Sequence, residues 1–242
     1  MNIIIPMAGR GERFRKAGWT VPKPLISVKG IPMYARAASS LPLDLADRLI
    51  FVCLEEHLAS GALSADIETR FGKKNTVIVA LRGVTEGQAC SVLAAKAAIN
   101  PEQPLMIHNA DTSFRSNLRQ LITRGPATDG IVTVFADQDP RWSFALVNVA
   151  GEITQIAEKQ VISNWATAGM YYFSRAADFI YTAETMIAKN LRTNNEFYVG
   201  PVYNMLIERG SKITADIAEE VTCMGTPEQL QACLSCGTIH QG

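Results

Sequence analysis

Residues 3–25, IIIPMAGRGERFRKAGWTVPKPL, constrain this chain more than any other stretch. Ile3, Ile4 and Ile5 form an unbroken apolar run, which reads as a buried strand. It leads into the loop Met7-Ala8-Gly9-Arg10-Gly11-Glu12-Arg13, and Lys23 follows between Pro22 and Pro24. Glycines let a backbone approach a bulky ligand closely and turn its N–H groups toward it. Arg13 and Lys23 are cationic donors suited to phosphate oxygens. A strand that ends in a glycine loop with two nearby cations is what a nucleoside triphosphate needs.

A Gly-x-Gly alone also describes an ordinary β-to-α turn with cations on its surface. The proline on each side of Lys23 favours the ligand reading, because it holds the lysine's backbone extended and limits its wandering. The spacing lacks the third glycine of a dinucleotide fingerprint, which disfavours an NAD(P)-dependent oxidoreductase. It also lacks the Gly-Lys-Ser/Thr of a Walker loop.

Over 242 residues, hydrophobic side chains make up 48% and charged ones 19%, the balance of a soluble globular protein with a sizeable core. The 23 basic and 23 acidic side chains cancel, so there is no electrostatic case for nucleic acid or an anionic membrane. The chain starts directly on a core strand and has no apolar run able to span a bilayer. The expectation is a cytoplasmic protein without a signal peptide. Five scattered cysteines do not suggest a disulfide framework. Cys233-x-x-Cys236 has metal or redox spacing, but no second Cys/His pair accompanies it, and it is expected to end a terminal helix.

Apolar β-rich runs alternate with helical ones, the pattern of a sheet covered on both faces by helices. Strands are predicted at 2–6, 48–54, 76–81, 105–109, 130–135, 144–149, 152–157, 167–174, 212–216 and 221–224. Helices are predicted at 33–40, 55–71, 87–99, 116–124, 176–189 and 196–209. Ala150-Gly151 reads as a hairpin turn. Thr226-Pro227-Glu228 opens the last helix, with Thr226 as N-cap and Pro227 at the first position.

Asp111 follows the apolar strand Leu105-Met106-Ile107, where ligands bind in open α/β sheets. A carboxylate there suits Mg²⁺, which prefers one or two carboxylates plus substrate phosphates; the alternative is a turn cap before Ser113 and Ser116. Thr85-Glu86-Gly87-Gln88 precedes an amphipathic helix that Thr85 is placed to cap. Glu158-Lys159 ends a strand, as solvated pairs often do, and Ala168-Gly169-Met170-Tyr171 follows. Glu196 reads as a helix N-terminal charge, with Tyr198 and Asn204 as weaker ligand candidates.

Gly9-x-Gly11-x-Arg13-Phe14, then Pro22-Lys23-Pro24-Leu25, then Val28-x-Gly30-x-Pro32-Met33, resembles the signature of the nucleotidyltransferase family. That family includes glucose-1-phosphate thymidylyltransferases and small phospho-metabolite cytidylyltransferases, and the similarity runs along nearly the whole chain. The resemblance implies a Rossmann-like α/β/α fold with a central mixed, mostly parallel sheet. It implies one domain over residues 1–242, nucleotide-facing over about 1–135 and acceptor-facing over about 136–242. The implied reaction is Mg²⁺-dependent NMP transfer from an NTP to a phosphorylated acceptor, with release of pyrophosphate.

Carried over by motif, Arg13, Lys23 and Asp111 are the catalytic residues, with Asp111 the metal ligand. Ala8, Gly9, Gly11, Arg82, Gly87 and Gln88 face the nucleotide, Gly87 giving room to the base. Lys159 grips the acceptor phosphate, Glu158 accepts its hydrogens, Gly169 lets it lie against the backbone, and Tyr198 joins them. Arg82 stands where thymidylyltransferases carry a base-reading glutamine, which argues against thymidine. Cys223-Met224-Gly225-Thr226 stands where sugar-phosphate members commonly carry Asp-x-Gly-Thr. A thiol is a poor ligand for a hard cation, so Asp111 works without it, Asp216 or another carboxylate substitutes, or catalysis is weakened. The last option keeps a non-catalytic nucleotide sensor in view. The Cys223 replacement and the opening Ile-Pro-Met-Ala-Gly resemble cytidylyltransferases for surface polysaccharides, which favours CTP slightly.

Overall fold

Both faces of the first strand are buried, and the rest of the molecule is arranged around it. The computed structural model describes residues 1–125 and 127–235. The chain opens with β1 (Asn2–Pro6), α1 (Glu12–Lys16), the short pair β2 (Ser27–Val28) and β3 (Ile31–Pro32), and α2 (Met33–Ala38). Next come β4 (Arg48–Leu54), α3 (Glu55–Leu58), α4 (Ala62–Phe71), β5 (Thr76–Leu81), α5 (Gln88–Ala94), β6 (Leu105–His108) and β7 (Thr112–Arg115). The middle holds α6 (Leu118–Arg124), β8 (Gly130–Ala136), β9 (Ser143–Val147), β10 (Ile153–Glu158) and β11 (Trp165–Phe173). The chain continues through α7 (Ala176–Ala188), α8 (Gly200–Ile207), β12 (Ile213–Ile217), β13 (Glu220–Cys223) and α9 (Pro227–Ser235).

The main sheet runs β5-β4-β1-β6-β11-β8-β12, and the β9–β10 hairpin branches from the start of β11. β5, β4, β1 and β6 are parallel, with Ile4 opposite Ile50 on one side and Ile107 on the other. β11 runs antiparallel to β6 and β8, while β12 pairs parallel with β8. Successive side chains of a strand face opposite ways, so Ile4 enters the core beneath α5, α7 and α8. Ile3 and Ile5 enter the second core with Tyr34, Phe51 and Ile67 from the α2 and α4 side. All three isoleucines are fully buried, each contributing about 1.5–3 kcal/mol of burial. That explains the uninterrupted apolar run: a strand covered on both faces has no solvent side to alternate with.

Four departures from the sequence expectations have local causes. The helix expected over 55–71 is broken into α3 and α4 at Gly61, whose φ is 73°. The helix expected from Glu196 starts at Gly200. Residues 193–196 instead close a tight turn, in which Thr193 and Glu196 exchange backbone hydrogen bonds at 3.0 and 2.9 Å. Asn194 and Asn195 sit between them at φ 48° and 64°, the left-handed conformation of two-residue hairpin turns. Residues after Asp111 form β7, which pairs antiparallel with β13 and puts Cys223 opposite Thr112. Thr85 does not cap α5; its hydroxyl donates to Gly87 O at 2.9 Å.

The opening of α9 follows expectation as a reciprocal capping box: Gln229 N donates to Thr226 Oγ1 at 3.2 Å and Thr226 N to Gln229 Oε1 at 3.1 Å. Cys236, and with it the Cys-x-x-Cys spacing, lies outside the described residues. Among the described residues no helix is long and apolar enough to cross a membrane.

Candidate functional site

A cleft of about 1030 Å³ opens where β1, β5 and β6 end and β10 and β13 arrive. This is the carboxyl edge of the parallel strands, where backbone N–H groups and helix starts face a ligand. At one end lie Ala8, Gly9, Gly11 and Arg13 of the glycine loop, with Lys23 and Asp111. At the other lie Glu158, Lys159 and Tyr198, all from the second half of the chain.

Gly11 has φ 64°, and a Cβ there would lie 2.9 Å from Lys23 Cβ. The loop glycine thus makes room for the lysine between the prolines. Lys23 is braced by the buried Phe14, whose ring centroid lies 5.8 Å from its Nζ. Nζ donates to Asp111 Oδ2. Burial pushes the Asp111 carboxyl up, but the charge and hydrogen bond of Lys23 outweigh it and hold Asp111 below the usual carboxylate range. Met224 N donates to Asp111 O at 2.8 Å, and a Cβ on Gly225 would approach Asp111 Oδ2 to 2.9 Å. The β7–β13 pairing therefore fixes the position of the aspartate.

Two residues placed at the nucleotide by resemblance sit differently. The Arg82 side chain is 95% exposed, outside the cleft lining, with Glu55 at 3.9 Å. Gly87 lines the cleft, but a Cβ there would stand 2.5 Å from Phe197 N and O, so the room it makes is filled by this chain's own backbone. Gln88 also lines the cleft, and its Nε2 donates to Asn109 Oδ1 at 2.6 Å.

At the far end Lys159 has φ 54°, an uncommon conformation for a lysine. Its Nζ donates to Tyr198 OH at 3.0 Å and lies 5.4 Å from that ring's centroid. This hydrogen bond, with the charges of Glu196 and Glu158, raises the lysine's pKa and keeps it protonated. Glu158 is 8% exposed; burial pushes its carboxyl up, against the Ser143 hydroxyl that donates to Oε2 and the charge of Lys159. Gly169 stands behind the lining. A Cβ on it would meet Asn109 Nδ2 at 2.1 Å, so its close approach is to Asn109.

Other expected roles shift. Asn204 is outside the cleft: its amide zips α8 to β10 through Ile156 N and O, at 2.8 Å each. Asp216 cannot stand in for Cys223, because it is 1% exposed and takes the hydroxyls of Ser116 and Thr133 at 2.6 and 2.7 Å, away from the lining. Glu196, read as a helix charge, lines the cleft. So do Arg141 and Trp142, which the sequence reading passed over; the guanidinium carbon lies 5.6 Å from the indole centroid. Their only sequence signal is a basic-aromatic pair in the loop between two strands.

The donor set can be tested against Mg²⁺. Among the described residues no group of three or more His, Cys, Asp and Glu could hold a metal by itself. Cys223 lines the cleft as a neutral thiol, pushed up to about 12 by burial and then by the charges of Asp111 and Asp137. Asp111 alone fits the one-carboxylate arrangement that magnesium completes with substrate phosphates.

Residues 2–214 match the nucleotidyl transferase family. The chain is 25% identical over 244 residues to the bifunctional protein GlmU of Burkholderia multivorans, covering 96% of this chain and 50% of that one. It is 26% identical over 237 residues to the UTP–glucose-1-phosphate uridylyltransferase AglF of Haloferax volcanii, covering 89% and 87%. The crystal structure of a nucleoside-diphosphate-sugar pyrophosphorylase from Vibrio cholerae RC9 superimposes with a TM-score of 0.84 at 27% identity, over 97% of this chain and 100% of that one. The chain belongs to the nucleotidyl transferase family, and spans about half the length of the GlmU relatives it matches.

Proposed function

We propose that this protein transfers a nucleoside monophosphate from an NTP to a phosphorylated small molecule, a sugar 1-phosphate or a similar phospho-metabolite, and releases pyrophosphate. One observation carries the reading: Arg13, Lys23 and Asp111 share a single cleft with Lys159. A pocket that must bring two phosphate groups together needs cations at both ends, and this one has them.

The acceptor phosphate oxygen forms a bond to the α-phosphorus while the bond to the β-phosphate breaks, and pyrophosphate leaves with the electron pair. A phosphate dianion needs no general base, in keeping with a lining that, among the described residues, holds no histidine. The protein's task is placement and charge stabilisation. Arg13 takes the departing phosphates, Lys23 the α-phosphate and Lys159 the incoming phosphate. Glu158, Tyr198 and Glu196 accept or donate hydrogen bonds to the acceptor body. Asp111 would hold Mg²⁺, which when bound neutralises phosphate charge.

We read the chain as one domain, with residues 1–135 serving the nucleotide and 136–242 the acceptor. CTP is our first choice of nucleotide, on the motif resemblance, and an activated precursor for surface polysaccharide our choice of product. The neutral Cys223 thiol beside Asp111 supports a second reading, a nucleotide sensor without turnover. Pyrophosphate release, assayed with ATP, CTP, GTP, UTP and dTTP against a panel of sugar and non-sugar phosphates with Mg²⁺, decides between them. Release with one pair supports transfer; nucleotide binding without release for every pair supports the sensor.

A further inference from the structure

The resemblance places Gly87 and its neighbours at the nucleotide, and their backbone is bonded to the loop that carries Glu196 and Tyr198. A Cβ on Gly87, at φ 136°, would lie 2.5 Å from both N and O of Phe197. The two backbones are stitched on either side of that contact. Phe197 N donates to Glu86 O at 2.8 Å, and Ala89 N donates to Phe197 O at 3.0 Å. Side chains repeat the link: Arg192 Nη2 donates to Glu86 Oε1 and Nη1 to Asn195 O, both at 3.1 Å. The Arg192 guanidinium also lies 4.2 Å from the Phe197 ring centroid.

Phe197 is 1% exposed, whereas Glu196 and Tyr198 on either side of it line the cleft. Glu86, Arg192 and Phe197 do not line it. The loop between Thr193 and Glu196 holds two consecutive left-handed asparagines. Residues in sparsely populated backbone regions persist where their surroundings over-determine them. Here those surroundings include Arg192, which is tied to the nucleotide-side turn.

We infer that turn 85–88 and loop 193–198 form one mechanical piece, in which Glu86, Gly87 and Arg192 are positioning residues for the acceptor and nucleotide occupancy tightens the acceptor subsite. The inference rests on the transfer reaction proposed above. Backbone hydrogen bonds of 2.8 and 3.0 Å flank an approach too close for any side chain at position 87, so a shift of the turn carries Phe197 with it. Tyr198 moves next, and with it the phenol that takes the Lys159 ammonium at 3.0 Å. Linkage makes the effect reciprocal: the acceptor tightens the nucleotide by the same factor.

Two measurements test it. Hydrogen exchange is followed with Mg²⁺ and each of ATP, CTP, GTP, UTP and dTTP, without acceptor. A nucleotide that protects residues 84–91 is expected to slow exchange over 193–199 as well. Protection confined to 84–91 overturns the inference and leaves the proposed reaction standing; protection at neither segment with any nucleotide overturns both. In turnover, Arg192→Gln is expected to raise the acceptor KM by about fivefold or more. The nucleotide's dissociation constant without acceptor and the thermal midpoint stay near wild type, with saturating acceptor the nucleotide weakens by the same factor, and Arg192→Lys, which keeps the charge facing Glu86, restores part of the loss. An unchanged acceptor KM, or a nucleotide that weakens equally with and without acceptor, overturns it.

Discussion

The two ends of the cleft treat a buried carboxylate in opposite ways. Asp111 meets a lysine, and its pKa is driven below the usual range despite burial. Glu158 has the Ser143 hydroxyl on one oxygen and a lysine whose ammonium is turned to Tyr198, and burial wins. The end with Lys23 and Asp111 rests on parallel strands buried on both faces, with Ile3, Ile4 and Ile5 fully inside. The end with Glu158 and Lys159 rests on an antiparallel hairpin, with Leu146 and Val149 exposed and a register shift in β11 between Thr167 and Tyr171. Charges fixed on a rigid support suit a step common to every substrate of an enzyme. Charges held by neutral hydroxyl partners on an antiparallel hairpin suit recognition of one particular partner.

The strongest way to break that contrast is at its rigid end. Lys23→Ala and Asp111→Ala should each lower kcat by roughly 10²–10³, the ~3–4 kcal/mol typical of losing one preorganised charge. Near-wild-type pyrophosphate release by either variant would falsify the assignment. Circular dichroism should show both variants folded, because neither side chain belongs to the two main cores.

At the other end the effect should be smaller and partitioned differently. Lys159→Ala should weaken acceptor binding by on the order of 1.5–3 kcal/mol, the range for a hydrogen bond to a charged group. The nucleotide's dissociation constant, measured by calorimetry without acceptor, should stay put. Equal weakening of both ligands would erase the distinction between the ends.

Cys223→Asp sharpens the comparison from the nucleotide side. It places a second carboxylate beside Asp111, on the strand that already pairs with β7. The Mg²⁺ concentration for half-maximal activity should fall by on the order of tenfold, about 1.4 kcal/mol of binding. A metal titration that overlays the wild-type curve would show that position 223 lies outside the metal's reach.

The same contrast explains what could be read from the sequence. β1, the glycine loop, Lys23 and Asp111 are signalled by contiguous patterns: an apolar run, two glycines, a proline on each side of a lysine, an aspartate after a strand. The end with Glu158 and Lys159 is assembled from β9, β10, β11 and a turn before α8, so Arg141 and Glu196 enter the cleft only through tertiary pairing. Gly11, Gly87 and Gly169 show why motif transfer stops short. A sequence can indicate that a position needs positive φ or space, but the occupants here are Lys23, Phe197 and Asn109. None of these is a local neighbour. Arg82 shows a related limit: it occupies a motif position, and its side chain is exposed outside the cleft lining.

The smallest effect tests whether a carboxyl pKa raised by burial extends beyond Glu158 in the second half of the chain. Asp216 on β12 is 1% exposed, and its Oδ1 has no hydrogen-bond partner, while Ser116 and Thr133 both donate to Oδ2. Burial raises its pKa, and the two hydroxyls offset only part of that. A carboxyl whose folded pKa lies above its unfolded value binds its proton more tightly in the native state. The stabilisation it contributes is complete below the unfolded pKa, about 3.9, and is lost as pH rises through the folded value. Asp216→Asn does not titrate, so the variant's thermal midpoint relative to wild type should become more favourable as pH rises from about 4 toward neutrality. The difference between the two proteins, rather than either midpoint, is the quantity to measure. Surface carboxylates such as Asp44 and Asp139, whose pKa values are lowered by arginine partners, bias both proteins alike in the opposite direction. A difference that is flat with pH would mean that Asp216 carries its charge at no cost, and it would then be as well compensated as the lysine-paired Asp111.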